Sequence, residues 1–136
     1  MLDRLQFEHP IESLAAVVSA DEVIACQQAV RAVPVDEKIR DYVVRIIRGT
    51  RTHPAVGLGA SPRAAMALFR AAQSLAAING ADFVFPDHVK QVAATTLAHR
   101  LIIKPESRLR KATGASVLAQ VIEQAAVPTI PGGGAG

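Results

Sequence analysis

The sequence predicts a mainly helical fold, a compact bundle of four to five helices with room for one short β element. Three observations carry this prediction. Half of the 136 residues are hydrophobic, drawn mostly from Ala, Val, Ile and Leu with no Trp, a composition that favours helices. Apolar residues recur at three- and four-residue steps over several stretches. Short Pro- and Gly-containing breaks separate those stretches. The length suits one domain with a core that needs neither disulfide nor metal.

Residues 1–18 show weak periodicity and read as an extended lead-in or a short helix. At "SADE" the pattern sharpens, because Ser19 followed by Glu22 has the spacing of a capping box. The first helix runs through "DEVIACQQAVRA", with Val23, Ile24, Gln27 and Val30 near one stripe, and ends before Pro34. The second, "VDEKIRDYVVRIIRGTR", opens on Asp36 and Glu37, which complement the helix dipole. Its Ile39, Tyr42, Val43, Ile46 and Ile47 share a face.

"THPAVGLGA" reads as a loop punctuated by Pro54, Gly57 and Gly59. Ser61 caps a third helix that continues to about Asn79, where Asn79–Gly80 supplies a left-handed stop. Ala65, Leu68, Phe69, Ala72, Leu75 and Ala76 form its stripe. "ADFVF" is either a short strand or an extended link. Pro86 opens a fourth helix with Val89, Val92, Ala93 and Leu97 on one side. "LIIK" reads as extended and buried, and "TGASVLAQVIEQAA" as a fifth, shorter helix. The domain spans 19–127, and 128–136 reads as a flexible tail.

Catalytic chemistry is sparse. The histidines at 9, 53, 88 and 99 have no metal-binding spacing among them. Cys26 stands alone and reads as a small apolar helix residue, not a nucleophile. A single cysteine, no apolar run of the roughly 18 residues a membrane span needs, and no signal-peptide stretch suggest a cytoplasmic setting. "GLGASP" follows no strand, and no lysine follows a glycine, so no P-loop motif is present. "LAAVVSADE" has the look of a strand with Mg²⁺-holding acids, but the capping box explains Ser19 and Glu22 better.

Arg63 is the anomaly. Ser61 as N-cap and Pro62 as the first helical residue put a cation in the first turn, where the dipole disfavours it. Either Arg63 bends away to a carboxylate, or it joins the free N–H groups of the helix start on one anion. A basic cluster of Arg100, Lys104, Arg108, Arg110 and Lys111 faces only Glu106. It reads as a solvated face or a subunit contact; nucleic-acid binding ranks lower, because no aromatics interleave the cations.

The stretch from "LGASPRAAMALFRAA" through "GADFVFPDHV" to "LAHRLIIKPE" resembles the C-terminal lid of MoxR-type AAA+ ATPases. In that family a G-A-S-P-R-A helix start precedes G-x-D-Y-V-x-P-x-D-V and then L-x-H-R. The likeness covers roughly residues 7–127, since "FEHPIESLAAVVSADE" also looks like the approach to this lid. It implies a lid over ATP held by a separate α/β core, with Arg63 as the sensor-2 arginine and Ser61 and Pro62 shaping the helix start. It further implies ring assembly, chaperone-like remodelling, and von Willebrand A-domain partners. ATP and Mg²⁺ would belong to the complete enzyme; the chain alone would be inactive and hold no cofactor or metal. With no core in the sequence, the resemblance implies a fragment, a split gene product or an excised domain. The alternative is a free-standing helical interaction module. Two local departures stand out: Phe85 replaces the usual Thr or Ser and offers no capping oxygen, and His88 replaces a residue more often acidic.

Overall fold

The computed structural model describes residues 14–129. It contains α1 (Ala20–Ala32), α2 (Glu37–Thr52), β1 (Val56–Leu58), α3 (Pro62–Ile78), α4 (Pro86–Leu97), β2 (Ile102–Ile103), α5 (Pro105–Leu109) and α6 (Gly114–Gln124). A 3-10 turn, Ala98–Arg100, extends α4. The fold is mainly helical, with one two-stranded sheet. Most of the expected tail (130–136) and most of the lead-in lie outside the described residues, as does His9.

The predicted second helix buries its whole apolar stripe, Ile39, Tyr42, Val43, Ile46 and Ile47, and adds Thr50. Asp36 caps it by accepting the Lys38 N–H at 2.8 Å. In α3 the buried side chains of Ala64, Leu68, Ala72 and Ala76 recur every four residues, and in α4 those of Val89, Ala93 and Leu97 do the same. Four-residue ridges built largely from alanine let two helices approach closely. Packing between α3 and α4 is the most extensive in the molecule. From α6, Val117, Leu118 and Val121 close the core. Gly49 makes room for this, because a Cβ there would lie 2.7 Å from Val121 Cγ1.

Helix α3 ends in a Schellman turn: Gly80 has φ +65, its N–H donates to Ala77, and Ala81 N–H donates to Ala76. The link "ADFVF" stays extended without pairing as a strand, held by one bond from Val84 N–H to Pro34 O at 3.1 Å. The β element forms elsewhere. Val56 pairs with Ile103 and Leu58 with Ile102, antiparallel, with an irregularity between Val56 and Leu58. Local sequence patterns cannot reveal so short a pairing, because it joins residues more than 40 apart in the chain. Leu101 and Ile103 are buried as expected, but Ile102 is exposed.

Three further expectations are corrected. The apolar stripe of α1 meets α3 only in part, and none of its residues is buried. Its start is nevertheless well made, since Ser19 and Glu22 form the expected capping box, with Ser19 N–H donating to Glu22 Oε2 at 2.6 Å. Cys26 is exposed, not buried. A sixth helix, α5, follows Pro105 inside the basic cluster, where the sequence pattern predicts none.

Phe85 makes no side-chain cap, and His88 supplies the other half of the box: its Nδ1 accepts the Phe85 N–H at 3.1 Å. Stacking compensates further, with the Phe85 ring 4.4 Å from Phe83 and 5.5 Å from His88. The bond requires a neutral imidazole protonated on Nε2. Burial lowers the His88 pKa, and the Asp87 carboxylate opposes that shift. Because the folded value lies below the unfolded one, the stabilisation is present above about pH 6.5 and is lost as pH falls through the folded value. Thermal unfolding should therefore show a drop in Tm from pH 7 to pH 5 that is smaller in His88→Ala. At pH 7 that variant should lose about 0.5–2 kcal/mol. Tyr42 is fully buried, and its hydroxyl has no hydrogen-bond partner among the described residues. Burial raises its pKa above the ordinary phenol range. Tyr42→Phe should stabilise the fold by about 1 kcal/mol in urea unfolding, since it removes an unsatisfied buried polar atom.

Candidate functional site

The site is the start of α3, and its position is set one residue upstream of the cap. Ala60 is fully buried, and α2 binds both of its backbone polar groups. Its N–H donates to Thr50 Oγ1 at 3.0 Å, and its carbonyl accepts from Arg51 Nε at 2.8 Å. The Thr50 hydroxyl in turn donates to Ile47 O at 2.7 Å, so it both donates and accepts. Gly59 lies so close to α2 that a Cβ would sit 2.7 Å from Arg51 Cα. Two adjacent side chains at the end of α2 thus fix where α3 begins. Neither stands out in the sequence, where Thr50 and Arg51 look like ordinary polar residues of a last turn.

From this anchor the helix opens as the sequence predicts. Ser61 is the N-cap, its Oγ accepting the Ala64 N–H at 3.3 Å, and Pro62 occupies the first position. The Ser61 carbonyl also accepts from Ala64 and Ala65. Pro62 has no N–H to offer, so Arg63 carries the one backbone N–H of this first turn left without a partner among the described residues. The expected group of several free donors is reduced to one.

The Arg63 side chain is exposed. It does not reach a carboxylate: the ion pair found among the described residues joins Lys90 to Asp87 at 3.0 Å. No acidic residue stands in the first turn of α3 to offset the charge. An unscreened cation at this helix end costs roughly 0.3–1 kcal/mol. An anion reaching the Arg63 guanidinium and the Arg63 N–H together would reverse that cost. Met66, three residues on and hence on the same face, is 70% exposed, and Leu58 on β1 is 60% exposed. Exposed apolar side chains thus occur one helical turn after Arg63 and on the strand that precedes α3.

No group of three or more His, Cys, Asp or Glu that could hold a metal occurs among the described residues. The arrangement offers a cation and one backbone N–H at the same helix end. His53 is structural: its Nδ1 accepts from Ala55 N–H at 3.2 Å, and its Nε2 pairs with Gln120 Oε1 at 2.9 Å. His88 serves as a cap, and His99 is exposed. No described helix is long and apolar enough to cross a membrane.

A family profile described as AAA lid domain matches residues 48–121, which include the Thr50–Arg51 anchor, Arg63 and both strands. The uncharacterized protein YeaC of Bacillus subtilis is 37% identical over 120 residues, covering 88% of this chain and 38% of its own length. Chaperone MoxR1 of Mycobacterium tuberculosis is 29% identical over 123 residues, covering 84% of this chain and 33% of its own length. The chain therefore spans well under half of either relative. A crystal structure of a candidate ATPase from Cytophaga hutchinsonii shares the fold, with a TM-score of 0.80 at 24% identity over 94% of this chain and 41% of that one.

The anchor can be tested directly. Thr50→Val keeps the shape but leaves the buried Ala60 N–H unsatisfied, and should cost about 1–3 kcal/mol in chemical denaturation. Thr50→Ser keeps the hydroxyl and should cost about 1 kcal/mol, the loss of one methyl group.

Proposed function

The chain belongs to the AAA lid domain family, as the lid of a MoxR-type AAA+ ATPase, and on that premise we propose that it covers ATP held by a separate core and couples hydrolysis to chaperone-like remodelling. Arg63 is the sensor-2 arginine in this reading, and Ser61 and Pro62 set its direction. The observation that carries the proposal is the state of Arg63: exposed, without a carboxylate partner among the described residues, beside its own unbonded N–H, on a helix start pinned by α2.

A guanidinium delivered to the terminal phosphate stabilises charge that spreads over its oxygens during transfer. The Mg²⁺ ligands, the nucleophilic water and the P-loop belong to the core, so the lid alone is inactive. Leu58 and Met66 supply the apolar surface that the core or a neighbouring ring subunit covers. Von Willebrand A-domain proteins are the proposed partners of the assembled ring, and the cytoplasm its proposed location.

Arg63→Ala in the complete protein should lower the ATPase kcat by about 100-fold or more. The same substitution in the isolated chain should leave the Tm unchanged or slightly higher, because it removes a cation from a helix N-terminus. Full turnover by the variant would exclude the sensor role.

A further inference from the structure

Residues 104–111, α5 and its exit, contain Lys104, Arg108, Arg110 and Lys111 against Glu106 alone. This eight-residue stretch therefore carries a charge equal to the net +3 of the whole chain, and the remainder is balanced. The stretch is held in place. Lys104 N–H donates to Ala55 O at 3.0 Å, which extends the β1–β2 pairing into α5. Arg110 caps the helix, Lys111 N–H donates to Arg108 O at 2.8 Å, and Ala112 N–H donates to Ser107 O at 3.0 Å.

That exit is a second Schellman turn, built like the one at Gly80, but its left-handed position holds Lys111 with φ 64. Lys111 is the one non-glycine with positive φ among the described residues. Glycine occupies such a position without strain, whereas a lysine holds it at a cost. Between the cations, Leu109 is 87% exposed. None of these cations forms an ion pair with a described residue.

We propose that the α5 turn is a docking surface for an acidic protein segment that carries an apolar side chain. Charge complementarity selects the acidic partner: Arg108, Arg110 and Lys111 stand exposed within four consecutive residues and form no ion pair with a described residue. Leu109 selects a protein over a nucleic acid, because a phosphate backbone gains nothing from an isobutyl group. A helix of five residues presents too little apolar face to lie in a lipid surface. Lys111 adds a cation at a point where the backbone favours glycine. This surface requires neither nucleotide nor Arg63, so it stands apart from the lid reading.

The test is titration of the ¹⁵N-labelled full chain with a synthetic glutamate-rich peptide bearing one central leucine. Three comparison probes are a peptide with serine in place of the leucine, a short DNA duplex, and phosphatidylserine vesicles. Amide shifts should concentrate in residues 104–112, and Leu109→Ser should weaken binding about fivefold, as should the peptide's serine. Paired Arg108→Glu and Arg110→Glu substitutions should weaken it about tenfold or more. Lys111→Gly should raise the Tm by about 3 °C while weakening peptide binding. No shifts in this stretch, indifference to either leucine, or tighter binding to duplex or vesicles would overturn the proposal.

Discussion

Ala60 is the point on which the architecture turns. One buried alanine has its N–H held by Thr50 and its carbonyl held by Arg51, neighbours at the end of α2. These two bonds meet the backbone requirements of a residue that no helix or strand could satisfy. They also join three elements at one place: the last turn of α2, the strand β1 that leads away from it, and the first turn of α3. Gly59 permits the close approach, and a side chain there would meet the α2 backbone. The direction of Arg63 follows from this junction more than from any contact of Arg63 itself.

Around that junction the packing is simple. Helix α2 provides the large buried side chains, whereas α3 and α4 interlock through alanines at four-residue intervals. Small side chains give little burial each, but they let the helix backbones approach and exclude voids. The polar residues inside the core are each employed. Thr50 holds Ala60, His88 caps α4, and Gln73 donates to Val33 O at 2.9 Å while accepting from Arg70. Tyr42 is the exception, with a hydroxyl that bonds to nothing among the described residues.

Much of this was legible in the sequence, because the signals were local. The stripe of α2, the cap at Ser61, the Asn79–Gly80 stop and the capping box at Ser19 depend on residues within one or two turns of each other. What escaped depends on distant partners. The β1–β2 pairing joins Val56 to Ile103, and nothing within either short segment announces it. Thr50 and Arg51 act on a residue about ten positions later, across a loop. His88 stands where an acid was expected, and only the geometry reveals that a neutral imidazole can accept the same N–H. The stripe of α1 misled because apolar spacing describes a face but not what covers it. Arg63 was conspicuous from the start, since its position conflicts with the helix dipole; that no described carboxylate meets it required the structure.

The exposure of α1 has a consequence for how the molecule comes apart. A helix that buries no side chain fully is joined to the rest chiefly by partial contact with α3 and by the bond from Gln73 to its C-cap carbonyl. Its detachment forfeits little of the core, so it constitutes a separate, shallow unit of opening. The free energy of global unfolding resides instead in α2, α3, α4 and α6. The molecule is thus graded, with a firm body that carries the Arg63 tip and an outer helix that can leave without disturbing it.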